Sequence, residues 1–137
     1  MKYTINVVRD GIQGRVIFSH GPVSVNTECW WDPKVVIDSG TYVGYATRMD
    51  NKHDGRGGKK REAIWFGKKI PVNRFKRYAK GIFMHKGTDA GWSDGCVVCK
   101  NSEIQKIWDA VAQKDMPNIE VNVYNIGGKV RIEDYKP

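Results

Sequence analysis

Residues 85–96 read HKGTDAGWSDGC, with a histidine at one end, a cysteine at the other, and glycine, serine and aspartate between them. Cysteine attacks as the thiolate, and a nearby imidazole or the positive end of a helix makes the thiolate more accessible near neutrality. Acyl transfer also needs N–H donors aimed at the developing oxyanion. The backbone of Asp94, Gly95 and Cys96 offers them, with Gly95 as the flexible member. The other reading is a glycine-rich surface loop that begins at a structural histidine. Spacing by itself leaves both open.

The flanking segments decide how firmly those ends are held. GIFMH (81–85) is an apolar strand that ends on His85, and a ten-residue loop separates it from Cys96. In NSEIQKIWDAVAQKD (101–115), Ile104, Ile107, Trp108 and Val111 fall at helical spacing, which predicts an amphipathic helix just after the cysteine. Ser102 with Gln105 offers a capping box, and Pro117 follows the end.

Elsewhere period-two alternation predicts strands over 3–8, 15–19, 22–31, 41–47, 63–67, 119–126 and 129–134. Residues 48–62 (RMDNKHDGRGGKKRE) read as a long exposed basic loop, and 71–80 as a short helix or turn. Trp30, Trp31, Trp65 and Trp108 fall in periodic runs and are expected in the core, with His20 and Cys29 structural. Trp92, in a polar loop beside the cysteine, is expected to wall a substrate groove. The fold class is mainly β with one principal helix, in a single domain spanning 1–137.

The 137 residues are 40% apolar, enough for one core. No run approaches the roughly 20 apolar residues of a membrane span. MKYTINVVRDG lacks the apolar stretch of a secretory signal, so the expectation is synthesis in the cytoplasm with delivery by another route. Three cysteines, Cys29, Cys96 and Cys99, are too few for a disulfide framework and leave at least one thiol over. The net charge of +8 suits a polyanionic partner, either nucleic acid or an anionic cell wall.

The run His85-x-Gly87, then Ser93-x-Gly95-Cys96 after an apolar strand, resembles the signature of the L,D-transpeptidase catalytic domain family. IDSGTYVGY (37–45) is similar to the strand start upstream of that signature. The resemblance implies a β-sandwich or barrel whose helix follows the catalytic cysteine. It implies Cys96 as nucleophile, His85 as base, the Lys86 carbonyl as the group orienting the imidazole, and Gly95 and Cys96 as oxyanion donors. It implies Ser93 as the residue that shapes the turn, and with Trp92, placed there by its loop position, Gly87 and Tyr42 are expected at the substrate. The implied chemistry is thioester formation on a peptidoglycan stem peptide, by transpeptidation or hydrolysis, without metal or cofactor.

The chain departs from the family pattern at three places. The His-to-Cys spacing of 11 resembles a short-loop branch of phage and small bacterial proteins, which would fit a lysis, virion or secreted effector role. Asp94 stands where a second histidine is usual, and Val98 where an arginine is expected.

Three rivals stand beside this reading. Cys96 and Cys99 form a C-x-x-C that could be a redox pair, though without the βαβ context of that chemistry. His85, Cys96 and Cys99 with Cys29 or His53 hold zinc-ligand types, with only one C-x-x-C. The basic stretch 53–61 and the net charge suit a non-catalytic nucleic-acid-binding module, although the stretch has neither a GK[ST] nor interleaved aromatics.

Overall fold

Tyr3, Ile5, Val7 and Arg9 point inward and alternate with more exposed neighbours along β1 (Tyr3–Asp10). The same period carries β2 (Gln13–His20), β3 (Val23–Trp30) and, near the C-terminus, β10 (Ile119–Ile126). Between them lie β4 (Gly40–His53), β5 (Lys60–Trp65), β6 (Ile70–Val72), β7 (Arg77–Ala79), β8 (Phe83–Lys86), β9 (Val97–Cys99) and α1 (Asn101–Ala110). This computed structural model describes residues 2–53, 60–67, 69–74, 76–93 and 95–126.

Eight strands close a barrel in the order β1-β10-β4-β5-β8-β9-β3-β2, while β6 and β7 form a separate two-stranded ribbon. Most neighbours are antiparallel, and β1/β10 and β8/β9 are parallel. Ile5, Val16, Phe18, Ile64, Met84, Val97 and Val121 fill the interior, with Ile104, Ile107 and Val111 of the helix segment packed among them. Each such side chain contributes about 1.5–3 kcal/mol by leaving water.

The mainly-β expectation with one helix after the cysteine holds, and several boundaries move. α1 stops at Ala110 rather than 115, because Val111 is extended and buried and the next turn is held elsewhere. Asp115 donates its N–H to the Ala46 carbonyl, and Lys114 donates to the carbonyls of Trp108 and Val111. The expected capping box does not form: Lys100 is the N-cap, without a side-chain bond, and Gln105 donates to Asp109.

The expected loop at 48–62 is largely strand, since the β4/β5 ladder runs on through Met49↔Arg61 and His53↔Lys60. Residues 54–59 of it lie outside the described residues, as does the strand expected at 129–134. Residues 71–80 form most of the β6/β7 ribbon, turning at Asn73 and Arg74 with positive φ. Of the tryptophans expected in the core, Trp31 is buried, while Trp30, Trp65 and Trp108 are half-buried.

Candidate active site

Alternation along β8 sends Met84 into the barrel and Phe83 and His85 to the outer face. The ladders extend that face sideways: His85 is opposite Ala63 of β5 and Val98 of β9, and Val98 is opposite Trp30 of β3. Phe83 is opposite Trp65, which is opposite Tyr45. Cys96, one residue before β9, shares this face by the same period of two. The barrel wall therefore carries His85 and Cys96 together on parallel neighbours.

His85 is 4% exposed, and its Nδ1 lies 2.8 Å from the Lys86 carbonyl oxygen. A carbonyl only accepts, so this contact makes Nδ1 the protonated nitrogen and leaves the lone pair of the neutral ring on Nε2. The imidazole is thus oriented by its own strand. The Gly87 N–H in turn bonds the Cys99 carbonyl at 3.0 Å, which continues the β8/β9 ladder.

Four residues before Gly87, the Phe83 N–H meets the sulfur of Cys96 at 3.5 Å. Cys96 Sγ also lies 3.8 Å from the Gly81 carbonyl oxygen. The first contact favours a thiolate and the second accepts from a thiol, so both protonation states have a backbone partner. Cys96 is 8% exposed and lies outside any disulfide. The Phe83 and Gly81 contacts had no sequence signal, because any residue offers the same backbone groups.

Ser93 is buried and uses its whole hydroxyl. Oγ donates to the Cys96 carbonyl at 2.6 Å and accepts the N–H groups of Asp32 at 3.1 Å and Gly95 at 3.0 Å. One donor and two lone pairs are the full capacity of a hydroxyl. It ties the turn before the nucleophile to the chain after β3. Gly95 has φ +113, a region closed to side chains, and a Cβ there would stand 2.8 Å from Val35 Cγ1. Its N–H, expected to face an oxyanion, points in this state at Ser93 Oγ. Asp94 lies outside the described residues.

Trp92 closes a single 3-10 turn, Ala90–Trp92, opened by Asp89, whose carboxylate accepts the Gly91 N–H. Its side chain lies over Gly87: a Cβ at Gly87 would fall 2.4 Å from Val98 Cγ1 and 2.8 Å from Trp92 Cγ. Gly87, expected at the substrate, is therefore covered, and its lack of a side chain is what lets Trp92 lie flat. Val98, in place of the family's arginine, is buried beneath. The Arg61 guanidinium stands 5.4 Å from the Trp92 ring centre, bringing a cation to this wall from β5.

On the opposite side, Tyr45 and Trp65 pack with ring centres 4.7 Å apart next to Phe83. These aromatics were missed as site residues, since only pairing register reveals that they share a face with Cys96. Tyr42 was expected there and is elsewhere. Its hydroxyl donates to the Asp38 carbonyl at 2.5 Å, and it lies on β4 beyond the end of the β4/β5 ladder at Tyr45, packed against the core.

The rival arrangements are not assembled. Cys96 belongs to the outer face, whereas Cys99 and Cys29 point into the barrel, so the strand separates the would-be zinc ligands. Three extended residues also hold Cys96 and Cys99 roughly 10 Å apart, beyond disulfide reach. Among the described residues no group of three His, Cys, Asp or Glu side chains is placed to hold a metal. The helix N-terminus expected beside Cys96 is displaced by β9, because Val97–Cys99 intervene.

No curated protein and no solved structure matches the chain. The L,D-transpeptidase catalytic domain (YkuD) family matches residues 14–132, most of the length. A match over that share of its length means that the chain belongs to the L,D-transpeptidase catalytic domain family.

Proposed function

We propose that this protein is a cysteine acyl-transfer enzyme acting on peptidoglycan stem peptides, with Cys96 as nucleophile and His85 as general base. One observation carries the reading. The Lys86 carbonyl fixes the His85 tautomer, so the basic Nε2 belongs to the same outer face as a sulfur already held by the Phe83 N–H.

In this mechanism Nε2 takes the Cys96 proton as sulfur attacks the amide carbonyl, and the negative charge moves to the carbonyl oxygen. Collapse breaks the C–N bond, the imidazolium returns its proton to the leaving amine, and a thioester remains on Cys96. An incoming amine or water gives its proton to His85, attacks the thioester and releases the thiol. An amine acceptor makes a cross-link, and water makes a hydrolysed peptide.

The backbone N–H groups of Cys96 and Gly95 serve the oxyanion, which requires Ser93 Oγ to release Gly95. Each such donor is worth about 10²–10³ in rate. Trp92 with Arg61 forms one wall and Tyr45 with Trp65 the other. Arg61 suits a stem-peptide carboxylate, since guanidinium binds such anions with charge-assisted hydrogen bonds.

The site of action under this reading is the cell wall. No helix among the described residues is long and apolar enough to cross a membrane. The test is digestion of purified sacculi by wild type and Cys96→Ala, with muropeptides separated and weighed. New cross-linked or trimmed muropeptides are expected with wild type alone, and equal products from both proteins would refute the reading.

A further inference from the structure

Two cysteines unused by the mechanism face each other inside the barrel. Cys29 of β3 and Cys99 of β9 are direct partners in the antiparallel register, and both are fully enclosed. The kind of pair follows from the neighbouring ladder. The Cys99 carbonyl accepts the Gly87 N–H, so the backbone polar groups of Cys99 turn toward β8 and away from β3. Cys29 and Cys99 therefore form a non-hydrogen-bonded pair, the closer type, with Cα atoms about 4.5 Å apart. That lies within the roughly 4.4–6.8 Å that a disulfide spans.

We propose that Cys29 and Cys99 are a disulfide site that joins β3 to β9 when the chain folds in an oxidising environment. The inference does not rest on the acyl-transfer reading, and it accounts for the odd cysteine count: two thiols pair and Cys96 remains for chemistry. It also sets the pair apart from the C-x-x-C reading, since Cys96 and Cys99 point to opposite faces of one strand.

The reduced arrangement shows what must move. The Cys29 thiol is turned toward β2, where a Cβ on Gly14 would lie 2.8 Å from its sulfur. Rotation about χ1 swings it across to Cys99. Burial pushes the Cys29 thiol up to about 11, a rise partly offset by the enclosed Arg9 guanidinium, and burial pushes Cys99 up as well. Both are inert once the barrel has closed, so oxidation belongs to folding or to transient opening.

The chemistry is thiol–disulfide exchange with a disulfide oxidant, either a small molecule or a protein. The Cys29 thiolate attacks the oxidant, forms a mixed disulfide and expels one thiol. The Cys99 thiolate then attacks Cys29 sulfur and expels the second. Two protons and two electrons pass to the oxidant, which leaves as two thiols.

The test refolds the reduced, denatured full chain in mixed oxidised and reduced glutathione, and separately incubates the folded protein with oxidised glutathione. Remaining thiols are alkylated in denaturant and the protein is mapped by mass spectrometry. A linked peptide pair containing residues 29 and 99, with Cys96 alkylated, is expected in at least the refolded sample. Reductant should then lower the thermal midpoint of that sample by on the order of 10 °C. Three alkylated cysteines in both samples, or any linkage that contains Cys96, would overturn the proposal.

Discussion

The Nδ1 atom of His85 lies 2.8 Å from the carbonyl oxygen of Lys86, a contact between neighbours in sequence that sets which ring nitrogen can act as a base. Replacing His85 by Gln keeps the approximate volume and removes the titrating nitrogen. His85→Gln should lower kcat/KM by about 10²–10⁴ with little change in thermal midpoint. Steady-state kinetics on a stem peptide, paired with a melting curve, checks both halves.

Ser93 Oγ holds the turn before Cys96 through three hydrogen bonds. In Ser93→Ala the N–H groups of Asp32 and Gly95 lose their acceptor. Buried groups left unsatisfied cost about 1–3 kcal/mol each, so urea unfolding should show a loss of about 2–4 kcal/mol. Ser93→Thr retains the hydroxyl and should recover part of that loss.

Gly87→Ala would drive a methyl into Val98 and Trp92. Buried Val98 must shift and the more exposed Trp92 lift away, which removes one wall of the proposed groove. A fall in activity of roughly tenfold or more is expected, since misplacement of about 1 Å can cost 10² in rate. Trp92 fluorescence should shift to longer wavelength, provided that it is read against Trp92→Phe as background.

Tyr45 and Trp65 sit beside Phe83 and touch no reacting atom in the proposed mechanism. Trp65→Ala should raise KM by about 5- to 10-fold and leave kcat within about twofold, the pattern of lost ground-state binding. A fall in kcat alone would mean that Trp65 acts on the chemistry instead.

Alkaline pH tests the buried thiols. In the folded, reduced protein Cys29 keeps its proton until about 11 rather than 9.0, and Cys99 is shifted the same way. Above pH 9 the unfolded chain therefore binds fewer protons than the folded one, and stability falls as pH rises. Arg9 is pulled down from 12.5 to about 10 by burial, so above about 10 its deprotonation opposes that fall. With reductant present, the urea midpoint should be constant below pH 8 and decline between 9 and 10. Cys29→Ala should flatten the decline by about 1 kcal/mol per pH unit.

How much of this was legible in sequence depended on range. His85, Lys86, Ser93, Gly95 and Cys96 lie within twelve residues, so spacing alone could group them. Tyr45, Trp65 and Arg61 come near the proposed site only through the β4/β5/β8 register, which no local pattern encodes. Helical periodicity found the apolar stripe of Ile104, Ile107 and Val111. It could not see that Val111 is already extended, because buried strand and helix ends share the same residue types. Tyr42 packs against the core although it lies in the motif match, because such a match carries position along the chain and not the side of the barrel a residue faces. Arg9 reads as a surface residue by type, yet it lies enclosed with its guanidinium 4.9 Å from the Trp31 ring centre.

The most direct test is to trap the intermediate. Wild type mixed with a stem peptide, quenched in acid within the first turnovers and weighed intact, should carry the acyl fragment as a thioester on the peptide containing Cys96. Cys96→Ala should carry no such adduct, and His85→Gln should accumulate it far more slowly. If wild type transforms the substrate with no adduct on Cys96, or if Cys96→Ala transforms it equally fast, the account of this site is wrong.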